Sequence, residues 1–219
     1  MANKSIEDKL NEGRSYRSFS AENIEVKADE NDGKYVEGYA TTFDQPYELF
    51  RVANYIVSEK VDRHAFDNTD MKDVIMQYDH EGRVFARTGN GTLQLMADDN
   101  GLRIRADLGG TELGRQLYEE IKGGYTNKMS FGFRVEEDER EERENADTGE
   151  ITIMRTITKV GKLYDVSAVS LPANDATSIS ARAFGEGVVA EVAEEIRKRE
   201  EEKAQKERQR QKIRLLTEV

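Results

Sequence analysis

The stretch Lys128–Phe133, KMSFGF, commits this chain to a β-sheet. Successive side chains of a strand point to opposite faces. Met129, Phe131 and Phe133 therefore share an apolar face that belongs to a core, and Lys128, Ser130 and Gly132 share the other. That second face carries a cation, a hydroxyl and a bare backbone in a row, with room above Ser130 for another chain to approach. A half-buried strand with a polar solvent face would have the same pattern. What sets this strand apart is the rest of the chain, which offers one histidine and one acid in similar strand contexts and little else able to do chemistry.

The same alternation recurs along the chain. NIEVKA and KYVEGYATTF, joined by ENDG, predict a β-hairpin, with Gly38 marking a bulge or close backbone approach. DQPYELF predicts a loop, ANYIVSEKV a strand, and RHAFDNTD a short helix or turn. DVIMQYDH predicts a strand with Val74, Met76, Tyr78 and His80 on one face and the histidine at its end. VFARTGNGTLQLMADDNGLRIRADL gives two or three short strands broken at Asn90-Gly91 and Asn100-Gly101. TELGRQLYEEIK predicts a helix capped by Thr111, with Leu113, Leu117 and Ile121 at spacing four and Gly123-Gly124 as its stop. The acidic segment 136–150 predicts a loop; ITIMRTITKVGKLYDVSAVSLPA predicts two strands, the second stopped by Pro172. NDATSISARAF is a short exit segment, and no internal repeat stands out. About eight strands with one internal helix predict a mainly β fold with flanking helices (α+β), built as a partly closed β-barrel or sandwich. Three regions follow: a flexible N-terminal arm over 1–22 with a helical turn around Ile6 and Leu10, a β-domain over 23–185, and a charged helical tail over 186–219.

Composition narrows the chemistry. Without cysteine there are no disulfides, no thiolate metal sites and no cysteine nucleophile. No apolar run approaches the roughly 20 residues that span a bilayer, and the N-terminus lacks the apolar stretch of a signal peptide, so a soluble, intracellular protein without a membrane partner is expected. The net charge of −11 sits entirely in residues 1–185, because the tail balances nine acids with nine bases. Residues 136–150 alone hold nine acids against two arginines. Such a body is unsuited to gripping a phosphate backbone, which argues against nucleic acid as a partner.

Of the two histidines, His64 lies in a polar turn and reads as a surface residue, whereas His80 ends an apolar strand beside Tyr78. The acid is Asp165 in KLYDVSAVS, with Leu163, Ser167 and Val169 on its face. A carboxylate embedded in an apolar strand is costly to bury unless paired. A histidine is one natural partner; Arg155 or Lys162 is the structural alternative. Ser130, His80 and Asp165 together have the types that acyl transfer needs: a nucleophile, a base suited to neutral pH, and a carboxylate to hold the imidazole's tautomer. Their order along the chain matches none of the familiar triad orders, and there is no G-x-S-x-G elbow. Lys128, two residues from Ser130, offers a Ser–Lys dyad as a rival, which this acidic body disfavours. Two histidines and scattered acids show no metal-ligand spacing, and the acidic segment lacks the EF-hand pattern, so neither metal nor cofactor is expected. On these residues alone, a serine endopeptidase and a non-catalytic assembly scaffold or chaperone both remain open.

Five segments in order carry a resemblance: EGYATTFDQP, SEKVDRHAF, VIMQYDHEGRVFART, IKGGYTNKMSFGF and VGKLYDVSAVSLPANDATSI. Over roughly residues 23–183 the chain resembles the prohead (capsid maturation) proteases of HK97-type tailed phages, serine peptidases related in fold to the herpesvirus assemblins. The resemblance implies the herpesvirus-protease type of partly closed barrel and assigns His80, Ser130 and Asp165 as the catalytic residues. It departs from the family pattern at Asp165, where glutamate is usual, and at Glu81, where aspartate usually follows the histidine. Backbone amides near Gly132, or Arg83 or Arg87, are the candidates for oxyanion donors. The resemblance implies an endopeptidase of the host cytoplasm, packaged inside a portal-containing procapsid. There it trims the scaffolding region of the major capsid protein and cuts itself. It also implies a homo-oligomer, taken as a dimer, and gives the tail a role in self-cleavage or targeting.

Overall fold

The computed structural model describes residues 13–19, 25–28, 33–170 and 175–217. The chain separates into two compact units, Met1–Arg182 and Ala183–Val219. The first is mainly β. Its larger sheet has seven strands in the order β1 (Ser15–Phe19), β10 (Lys128–Glu144), β11 (Ile151–Val169), β5 (Tyr55–Val61) and β4 (Tyr47–Val52). β6 (Ile75–Tyr78) adds to β11, and β7 (Glu81–Arg87) adds to β6. The smaller sheet runs β2 (Glu25–Ala28), β3 (Lys34–Thr42), β9 (Gly101–Asp107) and β8 (Leu93–Ala97). Among the described residues the two sheets are open, and no ladder joins them into the barrel expected from the sequence.

One apolar cluster unites the sheets and the helix α1 (Glu112–Lys122). It takes Val36, Ala40, Ile104 and Ala106 from the smaller sheet, Phe131, Phe133 and Leu163 from the larger, and Leu117 and Ile121 from α1. Phe131 and Phe133 stack with ring centroids 4.3 Å apart. Met129, Phe131 and Phe133 form the buried face that the alternation of KMSFGF predicts. α1 is capped as expected, with Thr111 Oγ1 accepting from Gly114 N at 2.9 Å, and Gly124 follows its end at φ +76°. Leu113 stays exposed, because Gly114 and Tyr118 complete the buried stripe instead.

Four elements differ from the sequence-based expectation, the first being Ile151–Val169, expected as two strands and found as the single strand β11. Part of the arm expected over 1–22 is strand, since Ser15–Phe19 pairs antiparallel with Met129–Phe133. Tyr47–Phe50, expected as loop, belongs to β4. The acidic segment is strand through Glu144, with a tight turn over 145–150 closed by Gly149 N donating to the Asn145 carbonyl at 2.8 Å. Its acids have low strand propensity, but most stand in the solvent along a strand whose partner β11 is held on its other side by β5. The partner strand supplies β-branched residues and cations, such as Lys159 against Glu136 at 3.2 Å. A bulge in β3 lies between Tyr39 and Thr41, beyond Gly38. The helical turn around Ile6 and Leu10, the ENDG turn before Gly33 and the Pro172 stop lie outside the described residues.

The larger sheet buries an ion cluster. Glu59 accepts from Arg17 Nε at 2.6 Å and Nη2 at 3.1 Å, from Arg155 Nη1 at 2.7 Å and from the Tyr47 hydroxyl at 2.5 Å. Arg155 Nε also donates to Asp138. Burial opposes ionisation of Glu59, but the two guanidinium groups and the Tyr47 hydroxyl outweigh it and bring the carboxyl from 4.5 down to about 2. The helix α2 (Asp175–Thr217) carries, within the second unit, exposed pairs one turn apart, Glu194–Arg197 at 2.8 Å and Glu195–Arg199 at 3.1 Å. No helix among the described residues is long and apolar enough to cross a membrane.

Glu59 yields a signed prediction. Its folded pKa lies below its unfolded value, so its contribution is complete above about pH 4.5 and is lost as the pH falls toward 2. Glu59→Gln leaves two buried guanidinium groups short of an anion and costs on the order of 3 kcal/mol at pH 7. Melting curves from pH 7 to pH 2 check this: the stability gap between wild type and variant narrows on the acid side of pH 4.5.

Candidate active site

β10 and β11 set the floor of the site by register. Ser130 lies opposite Ser167 and Gly132 opposite Asp165. β6 pairs in parallel on the far side of β11, Ile75 with Asp165 and Tyr78 with Ala168. The turn that leaves β6 is thereby carried over the serine and the acid. It has two residues, Asp79 and His80, flanked by the pair Tyr78 and Glu81. Both have positive φ, +48° and +60°, as a two-residue hairpin of the primed type requires. His80 is thus in the turn and not at the end of a strand, and its ring swings back over the sheet. Asp79 fastens the turn to the end of β11: its amide donates to the Ala168 carbonyl at 3.0 Å, and its carboxylate accepts from Ser170 N at 3.0 Å and Ser170 Oγ at 2.9 Å. Left-handed backbone is uncommon outside glycine, and it persists where surrounding contacts enforce it.

The imidazole completes a line of hydrogen bonds. His80 Nδ1 lies 2.5 Å from Asp165 Oδ1, and Nε2 lies 2.5 Å from Ser130 Oγ. Asp165 Oδ1 also accepts from Ser167 Oγ at 2.9 Å. With the carboxylate accepting from Nδ1–H, Nε2 is free to take the serine proton. His80, Ser130 and Asp165 are all buried, and the Tyr16 ring packs edge-on against the imidazole at 4.6 Å between centroids. Burial and the nearby Asp165 charge raise the Tyr16 phenol well above its usual range, which keeps it neutral. Ser130 Oγ has a second acceptor in reach, the Arg17 carbonyl at 2.9 Å. The space that the sequence leaves above Ser130 is therefore taken by the His80 ring, and β1 flanks the serine strand in the sheet.

Sequence reasoning names all three members of this line, and the fold brings them together. The alternatives for Asp165 are engaged elsewhere: Arg155 binds Glu59 and Asp138, and Lys162 binds Asp70 at 2.9 Å. Lys128 takes no part in the line. His64 is exposed and faces Asp67. Arg87, a candidate oxyanion donor, pairs with Asp73 at the surface. Sequence reasoning misses Asp79, although an acid in a tight turn is a recognisable signal, and it misses the strand that covers the serine.

Gly132 is a steric requirement of the site. A Cβ there would strike Asp165 Oδ2 and would stand 2.8 Å from Tyr16 Cε1. Gly132→Ala should displace the Asp165 carboxylate and break its bond to His80 at a cost of about 1–3 kcal/mol. A crystal structure and a melting curve of the variant check this.

The chain is similar to known phage proteins. A family model described as caudovirus prohead serine protease matches residues 22–191. Among solved structures, the bacteriophage T4 capsid assembly protease, gp21, aligns at 12% identity with a TM-score of 0.41, over 71% of this chain and 96% of that one. No curated protein matches.

Proposed function

The chain belongs to the caudovirus prohead serine protease family, and we propose that it is a serine endopeptidase with Ser130 as nucleophile, His80 as general base and Asp165 as the carboxylate that orients the base. The observation that carries this reading is the unbroken line Asp165–His80–Ser130, with both ring nitrogens engaged at 2.5 Å. In this mechanism Ser130 Oγ attacks the scissile carbonyl carbon while His80 Nε2 takes its proton. Asp165 stabilises the imidazolium so formed. His80 then returns the proton to the leaving amine, and water repeats the sequence on the acyl-enzyme to release the second product. Aspartate in place of the family's usual glutamate is compatible with this role, since its carboxylate reaches Nδ1 directly.

The substrate in this reading is the scaffolding region of the major capsid protein, cut inside the procapsid, with cleavage of the protease itself as a second activity. The two sheets act as the halves of the partly closed barrel that the family resemblance implies. The charged second unit targets the enzyme into the shell by pairing with scaffold helices.

Two experiments test this. Intact masses are measured for wild type and Ser130→Ala, each expressed with the cognate capsid protein. Discrete truncation of the capsid protein in wild type and its absence in Ser130→Ala is the expected outcome; identical full-length masses in both would favour a non-catalytic scaffold or chaperone. Asp165→Asn should lower kcat by about 10⁴ through loss of the correct tautomer. In the second experiment, deletion of residues 187–219 should abolish incorporation into procapsids and leave cleavage of added capsid protein in place. Unchanged incorporation would remove the targeting role.

A further inference from the structure

Ser130 is fully buried, and the chain's own β1 contributes to its cover. β1 is five residues long and forms the edge of the larger sheet. It lies antiparallel on the serine strand, with Ser18 opposite Ser130 and Arg17 opposite Phe131. This register brings the Arg17 carbonyl to 2.9 Å from Ser130 Oγ. The same residue sends its guanidinium to the buried Glu59, with Nε at 2.6 Å and Nη2 at 3.1 Å from the two carboxylate oxygens. One residue thus offers a carbonyl to the serine and a cation to a fixed anion. An extended peptide substrate needs the same two things: an edge on which to lie as an added strand, and a carbonyl held at the nucleophile.

Building on the serine-peptidase reading, we propose that β1 occupies in cis the edge where substrate docks, and that Glu59 selects an arginine on the substrate residue whose carbonyl Ser130 attacks.

The electrostatics give this selection its direction. When β1 leaves, Glu59 keeps Arg155 at 2.7 Å and Tyr47 at 2.5 Å but loses a two-pronged partner. A buried carboxylate short of a partner is costly, so an incoming apolar side chain is rejected. Arginine restores both bonds through its fork, whereas lysine offers a point charge. The same arrangement restrains the resting enzyme. The Arg17 carbonyl at 2.9 Å and His80 Nε2 at 2.5 Å compete for the single proton of the Ser130 hydroxyl. β1 must leave before a substrate carbonyl can take its place.

The test uses the full chain as wild type and as Arg17→Ala, with two quenched fluorescent peptides. One is SYRSFS, the sequence of residues 15–20; the other has alanine in place of its arginine. Arg17→Ala is expected to hydrolyse the arginine peptide at least about tenfold faster than wild type does, and at least about tenfold faster than it hydrolyses the alanine peptide. Equal rates in the two proteins, no hydrolysis of either peptide, or no preference between them overturns the proposal. Continued Ser130-dependent cleavage of capsid protein by wild type then leaves the serine-peptidase reading standing, whereas loss of that cleavage sinks both. If Arg17→Ala shows no cooperative melting transition, the peptides compete with capsid protein for wild type instead. An inhibition constant at least about tenfold lower for the arginine peptide supports the proposal, and equal constants overturn it.

Discussion

The site depends on one histidine held in a left-handed turn. His80 lies between Asp165 and Ser130 because β6 ends one pair short of it and the backbone reverses over two residues of positive φ. Had the strand continued, the imidazole would follow the alternation of Val74, Met76 and Tyr78. The turn redirects it across β11 to the serine on β10, and Asp79 locks the turn to Ser170. The unfavourable backbone is compensated by a dense set of bonds, a pattern found where geometry serves chemistry.

The sheet supplies the rest through register. Ser130, Gly132, Asp165 and Ser167 come together because β10 and β11 pair with Ser130 against Ser167 and Gly132 against Asp165. Two of these residues are small for a reason: Gly132 leaves space for the Asp165 carboxylate and the Tyr16 ring, and Ser167 donates to that carboxylate. The apolar face of the same strand anchors the core through Met129, Phe131 and Phe133. One strand therefore ties the packing of the domain to the position of Ser130. A shift of one residue in its pairing would exchange core and site.

The alternation of KMSFGF and KLYDVSAVS made the serine and acid strands legible, since side-chain direction in a strand follows from position alone. Thr111 and Gly123-Gly124 likewise announced α1 through capping chemistry that acts within a few residues. Less was legible where tertiary contacts override local preference. Residues 136–144 are too acidic to read as strand, and their pairing with 151–159 lies in the partner's sequence. Ser15–Phe19 reads as part of a polar arm, and its strand exists because β10 offers an edge and Glu59 a buried anion. His80 was found as a residue but misplaced as a strand end, because the φ of Asp79 and His80 is imposed by the closure of the hairpin.

The chain has two histidines, so nitrogen NMR of ¹⁵N-histidine-labelled protein isolates the imidazole on which this account rests. The account predicts one histidine with a far-downfield Nδ1 proton shared with Asp165 and an Nε2 that accepts, and whose Nε2 signal moves in Ser130→Ala. Two histidines with the signals of solvent-exposed imidazoles, both unchanged in Ser130→Ala, would contradict it.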